Sequence, residues 1–337
     1  MNDKLRQALI GWVAIMGIFP ILFASQGFGK DPDYPARPIH FMIPFGPGGT
    51  TDLTYRAFID AAGKQLGQPF VPVNKAGAGG TIAAMAVQTA KADGYTLGGA
   101  TSSNAFVAPF FPDSPYRDLE GFTLIMNLGK YVYPLIVRGD APWKTWKEFV
   151  DWGRANPRGA KIGLPGARNV VAQGFVLSQV EEKEKLKFTY VTFKSSAEIL
   201  TAILGGHITM YGSTLDATVV TYLKEGKLRL LAFADVKAPG FEGIPSLKDI
   251  YTIETTPNLK AVWGPKGLPE PIVNKLEEGL AKAVKDQDFI KVMHRFFMPV
   301  VYMNRAELNK YSEKTLQDVG ETLKRMQRED AREKKAD

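Results

Sequence analysis

The stretch PFGPGGTTD, from Pro44 to Asp52, combines three glycines with two threonines and an aspartate directly before an amphipathic segment. It contains no lysine, cysteine or histidine, so any chemistry here must come from the backbone and the hydroxyl groups. Glycines leave N–H groups open to a ligand, and the start of a helix adds a partial positive charge. The stretch therefore predicts an anion site, although glycine loops between a strand and a helix also occur without any function.

Three predicted strands of the first half each end in a polar loop. The apolar runs Ile39–Ile43, Phe70–Val73 and Tyr95–Ala100 read as strands, and amphipathic helices separate them. Parallel strands joined by right-handed crossovers present such loops at one edge of the sheet, where ligands of open α/β sheets bind. We expect the N–H groups of Gly48 and Gly49 to face this pocket. The hydroxyl groups expected there are those of Thr50, Thr51, Ser102 and Ser103, and either threonine can cap the first helix.

Common catalytic and metal-binding patterns are not found in this sequence. There is no cysteine, which excludes a thiolate nucleophile and a cysteine-bound metal, and the three histidines are widely separated. The first glycine loop lacks the lysine of a phosphate loop. The second, GAGGTI from Gly77, lacks the spacing of a dinucleotide fingerprint. We therefore predict no catalytic residue, no metal and no cofactor.

The N-terminus has the pattern of a secretory signal. Lys4 and Arg6 precede the apolar run ALIGWVAIMGIFPILFA, and small residues follow it. A membrane anchor is the alternative, but the run is short for a span of about 20 residues and Pro20 interrupts it. No cysteine follows the run, which argues against a lipoprotein. We predict export to the periplasm with cleavage of residues 1–29.

The remaining chain reads as two α/β halves joined near residues 125–135, with a C-terminal region that returns to the first half. The expected domains are lobe one, residues 30–128 plus 252–337, and lobe two, residues 129–251. The formal net charge is +7, which helps to attract anionic ligands. The basic tail KRMQREDAREKKAD is mixed in sign and has no aromatic residue, so we predict no nucleic-acid partner.

Four segments resemble the Bug or TctC family, the periplasmic solute receptors of tripartite tricarboxylate transporters. They are YPARPIHFMIPFGPGGTTD, LGQPFVPVNKAGAGGTIAA, ADGYTL and VWGPKGLPEPIVNKLEEGLAKAVKD. The resemblance implies an α/β, bilobal periplasmic-binding-protein fold (type II-like), with two mixed or parallel-sheet lobes, a cleft and a hinge. It also implies a non-catalytic monomer that binds a small organic carboxylate and serves membrane permease subunits.

The resemblance also assigns ligand contacts. In the family, the loop matching Gly46–Asp52 holds a carboxylate, helped by the region matching Ala78–Gly79, and Thr101–Asn104 lies at the cleft. The second lobe departs from the family pattern Ser-Gly-x-Gly-Ser-x-x-His-Leu, because this chain has PGARNVVAQ from Pro165 to Gln173. Arg168 would suit a second carboxylate, and a solvated surface arginine is the alternative. The expected contacts are Gly46, Pro47, Gly48, Gly49, Thr50, Asp52, Ala78, Gly79, Ser102, Ser103, Gly166, Ala167, Arg168, Asn169, Ser195 and Ser196.

Two other functions remain open from the sequence. A ligand-sensing receptor that acts on a signalling partner would use the same binding chemistry. A small-molecule α/β enzyme, such as an isomerase or hydrolase, would need a histidine or a carboxylate pair in the pocket, and the sequence offers neither. The carbon frame of the ligand is also open between a di- or tricarboxylate and an aromatic carboxylate.

Overall fold

The chain divides into two compact units, Met1–Tyr34 and Pro35–Asp337. A computed structural model describes residues 34–110, 112–164, 172–193, 196–253 and 258–336. The predicted signal segment at residues 1–29 lies outside the described residues. The same holds for five of the predicted contacts, namely Gly166, Ala167, Arg168, Asn169 and Ser195.

Strands and helices alternate through the second unit. The first part of the chain forms β1 (Ile39–Ile43), α1 (Thr50–Leu66), β2 (Phe70–Asn74), α2 (Thr81–Gln88), β3 (Thr96–Thr101) and β4 (Phe122–Gly129). The middle part forms β5 (Pro134–Arg138), α3 (Trp146–Ala155), β6 (Lys161–Leu164), α4 (Ala172–Glu184), β7 (Thr189–Thr192), α5 (Ser196–Leu204), β8 (Met210–Tyr211), α6 (Ala217–Lys224), β9 (Leu228–Phe233) and α7 (Leu247–Ile250). The last part forms β10 (Lys260–Pro265), α8 (Glu270–Ala283), α9 (Gln287–Arg295) and α10 (Arg305–Ala336).

Sheet one has the strand order β2-β1-β3-β10-β4. β1, β2 and β3 are parallel, and β10 runs antiparallel between β3 and β4. Lys260, the first residue of β10, pairs with Thr101 at the end of β3 and with Gly129 at the end of β4. The carboxyl ends of the other four strands therefore share one edge with the start of β10, and we call it the loop edge of sheet one.

Sheet two repeats this arrangement with the strand order β7-β6-β8-β5-β9. β6, β7 and β8 are parallel, whereas β5 is antiparallel to both β8 and β9. We call each sheet with the helices packed on it a lobe. The chain passes from lobe one to lobe two between Gly129 and Pro134, and it returns between Phe233 and Lys260. The prediction of α/β architecture with two mixed sheets is confirmed.

Helix α1 packs tightly on one face of sheet one. The ring of Tyr55 lies 5.2 Å from that of Phe41 on β1, and its hydroxyl lies 2.9 Å from the carbonyl oxygens of both Ala100 and Ala261. On its outer side, Phe58 of α1 meets Phe289 of α9 with ring centroids 5.5 Å apart. Helix α9, in the region after β10, thus packs against α1, which lies on the first sheet.

The ends of α1 show where sequence patterns succeed and fail. Gly67 ends the helix in the left-handed conformation (φ +73°), as a glycine at that place predicts. The expected threonine cap is wrong, because Gly49 is the N-cap residue and no side chain caps the helix. Among the described residues, no helix combines the length and apolar character needed to span a bilayer.

The close approach of α1 to β3 depends on Gly99. A Cβ atom at this position would lie 2.6 Å from two ring atoms of Tyr55, which is fully buried and hydrogen-bonded. We expect Gly99→Ala to lower the free energy of unfolding by about 1–3 kcal/mol, because the ring has no space to move into. Urea denaturation measures this loss. Gly243→Ala is the control, because Gly243 is exposed and its Cβ would meet nothing within 4 Å. Equal stability of both variants would contradict the packing described here.

Candidate ligand-binding site

Asp52 holds the first glycine loop in place. Its carboxylate is 2% exposed, and its Oδ2 atom accepts a hydrogen bond from the N–H of Gly48 at 2.8 Å. Its Oδ1 atom accepts bonds from Arg56 Nε at 2.9 Å and Asn74 Nδ2 at 2.8 Å. Asn74 also donates to the carbonyl of Phe45 at 2.8 Å. One carboxylate thus ties together the loop, the first turns of α1 and the end of β2.

The pKa of Asp52 lies below its usual value of 3.8. Burial alone would raise this pKa, but the hydrogen bonds from Arg56, Asn74 and Gly48 and the charge of Arg56 outweigh it. Asp52 is therefore ionised at neutral pH, with both oxygens occupied. The geometry assigns it to positioning the loop.

The backbone donors that remain for an anion belong to Gly49, Thr50 and Thr51. Their N–H groups lie at the start of α1, where a helix offers no internal acceptor, and no other acceptor is found for them among the described residues. Gly49 is exposed, whereas Thr50 and Thr51 are half-buried. The three donors sit where the helix carries partial positive charge, which suits a carboxylate.

Two expectations about the glycines need correction. The N–H of Gly48 is not free for a ligand, because it donates to Asp52. Gly49 does not need the conformational freedom of glycine, because its φ is −77°. Gly48 alone of the two has a left-handed backbone, with φ +81°.

The three loops at the carboxyl ends of β1, β2 and β3 pack against one another. A Cβ atom on Gly80 of the second loop would lie 3.0 Å from Pro44 Cβ and 3.2 Å from Asn104 Nδ2. Asn104 is fully buried, and its side-chain oxygen accepts the N–H of Thr101 at 2.7 Å. The predicted convergence of the loops is confirmed, and their role as ligand contacts stays a prediction.

The other predicted contacts are placed unevenly. Gly46 is half-buried and Pro47 is exposed in the first loop. In the second loop, Ala78 and Gly79 are exposed and left-handed (φ +45° and +65°), a conformation that is uncommon for alanine.

The predicted serine contacts differ in how far their hydroxyl groups are already used. Ser102 is buried, and its hydroxyl accepts the N–H of Leu259 at 3.0 Å. Ser103 is half-buried. In lobe two, the hydroxyl of Ser196 lies 2.6 Å from that of Ser213.

One segment that joins the lobes also touches the first loop. The hydroxyl of Tyr131, in the first crossing, lies 3.0 Å from Thr51 Oγ1. Its backbone exchanges two hydrogen bonds with the amide of Asn258, in the second crossing, at 2.9 and 2.7 Å. The two crossings are thereby tied together beside the start of α1. No group of histidine, aspartate and glutamate suited to hold a metal is found among the described residues.

Comparison with known proteins identifies the relatives of this chain. A family model for the tripartite tricarboxylate transporter family receptor, TctC, matches residues 54–327. The chain belongs to this family. The TctC family consists of periplasmic solute receptors, which confirms the predicted family and the prediction that the chain is not an enzyme.

Individual relatives cover nearly all of the chain. It is 30% identical over 286 residues to the UPF0065 protein in the gbd 5′ region of Cupriavidus necator, which covers 84% of this chain and 85% of that protein. A TctC solute-binding protein from Polaromonas, solved without ligand, is 29% identical with a TM-score of 0.75, covering 87% and 99%. MatC from Rhodopseudomonas palustris with bound malate is 24% identical with a TM-score of 0.67, covering 86% and 99%. These similarities confirm the predicted bilobal periplasmic-binding-protein fold.

Three residues beside the candidate site were missed from the sequence. Asn74 organises the first loop, Tyr131 contacts Thr51, and Lys260 lies at the start of β10. Asn104 lies in the segment Thr101–Asn104 that the resemblance placed at the cleft, and its side-chain oxygen accepts the N–H of Thr101. The sequence carries a signal for Asn74, a polar residue that ends an apolar strand. It carries another for Lys260, a single charge at the start of the apolar run KAVW. No local pattern marks Tyr131, because its partner is distant in the sequence.

Replacing Asp52 tests the hydrogen bonds that hold the first glycine loop in place. All three of its partners are donors, so the amide of Asp52→Asn would face a donor in either orientation. We expect a loss of about 1–3 kcal/mol in the free energy of unfolding at pH 7. Because the folded state lowers the pKa of Asp52, its stabilisation is present above pH 3.8 and is lost as the pH falls through the folded-state pKa.

Denaturation at several pH values measures both effects. The stability gap between wild type and Asp52→Asn should narrow below about pH 3.8. Asp60→Asn is the matched control, because Asp60 lies on the same helix and is exposed. A gap that stays constant down to pH 2, or an equal loss in the control, would contradict the role given to Asp52.

Proposed function

We propose that this TctC receptor is exported to the periplasm, binds a small organic carboxylate between its lobes and presents it to the membrane permease of a tripartite transporter. Lobe one binds the acid group, and lobe two closes over the rest of the ligand. The receptor acts as a monomer. The observation that carries this proposal is a set of three N–H groups at the start of α1 for which the described residues offer no acceptor. The loop that contains them lies at the loop edge of sheet one and is held there by Asp52.

The donors at this place are sufficient for reversible binding. Each charge-assisted hydrogen bond contributes about 1.5–3 kcal/mol net. Three such bonds, less the cost of association, correspond to roughly micromolar affinity. A transport receptor must release its ligand, so stronger binding is not needed.

Closure of the lobes is the step that the permease would recognise. In the described part of the chain, two segments join the sheets, and their described residues meet at Tyr131 and Asn258. Short connections of this kind absorb the rotation in hinge closure, and a ligand that contacts both lobes favours the closed state.

The residue proposed to contact the far end of the ligand is chosen from the sequence alone. Arg168 lies outside the described residues, and we propose that it binds a second carboxylate. This proposal favours a dicarboxylate over a monocarboxylate. Malate is a suitable probe, because a structural relative binds it.

A thermal-shift panel of acetate, malate and citrate tests the function. A carboxylate present at 100 times its Kd stabilises the protein by about 2.7 kcal/mol, which raises the melting temperature measurably. We expect malate to give a larger shift than acetate. Methyl esters of the same acids are the control, since they lack the negative charge. Equal shifts by acids and esters, or none by any acid, would reject the proposed ligand class.

Replacing Gly48 tests the location of the site. A valine at φ +81° is strained, so Gly48→Val should displace the loop from Asp52 and weaken malate binding at least about tenfold by calorimetry. Gly67→Val is the matched control, because Gly67 has φ +73° and ends the same helix. Its loss of stability should be similar, about 1–2 kcal/mol, with unchanged affinity. Undiminished affinity in Gly48→Val would place the ligand elsewhere.

A further inference from the structure

Lys260 is a buried lysine whose ammonium group has no hydrogen-bond partner among the described residues. The residue is 0% exposed, and its backbone N–H donates to Asn127 Oδ1 at 3.1 Å. Removing an ammonium group from water without a partner costs much free energy. An apolar residue would fill this position at lower cost, so the charge needs an explanation beyond packing.

The ammonium group lies under the first turns of α1. Its Nζ atom is 3.7 Å from the ring centroid of Tyr55, which places the side chain on the α1 face of sheet one. It is 5.3 Å from the ring centroid of Tyr131, whose hydroxyl reaches Thr51. Lys260 is therefore one tyrosine ring away from the unpaired N–H groups that begin α1.

The surroundings of Lys260 lack a negative charge. The two tyrosine faces attract a cation, but they compensate only part of the lost hydration. Among the described residues, no aspartate or glutamate forms an ion pair with Lys260, and Asp52 is already bonded to Arg56. Among the described residues, the N–H groups at the start of α1 have no acceptor and the ammonium group has no counter-charge. An anion at the loop edge would supply both.

We propose that Lys260 is the counter-charge of the bound carboxylate, acting across the Tyr131 ring on the acid group that the N–H donors of α1 hold. The inference rests on the proposed function and adds a cation to a site of otherwise neutral donors. Direct contact is not required, because attraction between charges is strong where water is excluded.

The same geometry couples binding to a proton. Burial lowers the pKa of Lys260 well below 10.5 in the free protein, and a nearby carboxylate raises it again. Above the pKa of the free protein, binding therefore takes up a proton, and affinity falls by up to tenfold per pH unit as the pH rises.

Among the neighbouring titratable groups, the two tyrosines and the Asp52–Arg56 pair do not share this behaviour, whereas Lys130 does in part. Burial raises the pKa of Tyr55, and it raises that of Tyr131 to about 12, so both phenols stay neutral. Asp52 and Arg56 on α1 form an ion pair at 2.9 Å. Lys130, beside Tyr131, has its Nζ 5.5 Å from the ring centroid of Tyr311, and burial lowers its pKa as well.

Lys260→Met, compared with Lys266→Met, tests the proposal by calorimetry with malate at pH 8. We expect Lys260→Met to bind malate about 10- to 100-fold more weakly. Its melting temperature without ligand should be unchanged or higher, because an apolar side chain replaces a buried amino group that has no hydrogen-bond partner. Lys266 is exposed at the other end of β10, so Lys266→Met removes the same charge and should bind like wild type. If Lys260 only supports the fold, its variant will melt at a lower temperature and keep its affinity, which would overturn the proposal.

Proton uptake gives a second measurement. Titrations of wild type with malate in buffers of different ionisation enthalpy, at a series of pH values up to 10, should show net proton uptake that sets in as the pH rises and is smaller in Lys260→Met. Its absence at every pH would overturn the coupling. If wild type binds none of acetate, malate and citrate, the proposed function itself fails. If wild type binds malate and Lys260→Met binds it equally well, only the role of Lys260 fails.

Discussion

The buried carboxylate of Asp52 is the interaction on which the binding loop depends. It accepts donors from three separate segments, namely the glycine loop, α1 and the end of β2. A negative charge beside an anion site would repel the ligand, but Arg56 at 2.9 Å offsets it. The pair thus holds the loop and its neutral donors in place without adding net charge of its own.

The segments that join the lobes contact the start of α1. Tyr131 belongs to the first crossing between the lobes, yet its hydroxyl meets Thr51 at the start of α1. Asn258 binds the backbone of Tyr131 from the second crossing. The segments between the lobes thus contact the start of α1 directly. If the acid group binds there as proposed, ligand occupancy and lobe orientation are linked through these contacts rather than through a long chain of residues.

Much of the fold could be predicted because its signals are local. Apolar runs bounded by glycine and proline mark β1, β2 and β3, and the parallel topology then places their loops at one edge. The need for glycine at position 48 also follows from a tight turn before a helix. The hydrogen bond from the Gly48 N–H to Asp52 could not be predicted. By residue type, the neighbouring threonines are equally suitable as the helix cap.

The parts of the site that sequence reasoning missed arise from contacts between distant segments. Lys260 lies against Tyr55 and Tyr131 because β10 inserts between β3 and β4, and nothing within its own strand indicates that pairing. Tyr131 and Asn258 meet for the same reason, at the place where two crossings come together. The hydroxyl oxygen of Ser102 accepts the N–H of Leu259, and this contact could not be predicted because Leu259 is remote in sequence.

The position of β10 also determines when sheet one can be completed during synthesis of the chain. β4 pairs with β10 in sheet one, so it has no sheet neighbour until all of lobe two has been synthesised and β10 has followed. Closing so long a loop is entropically costly, and topologies rich in such distant pairings fold slowly. A nascent chain of this topology keeps its first lobe incomplete until β10 has been synthesised.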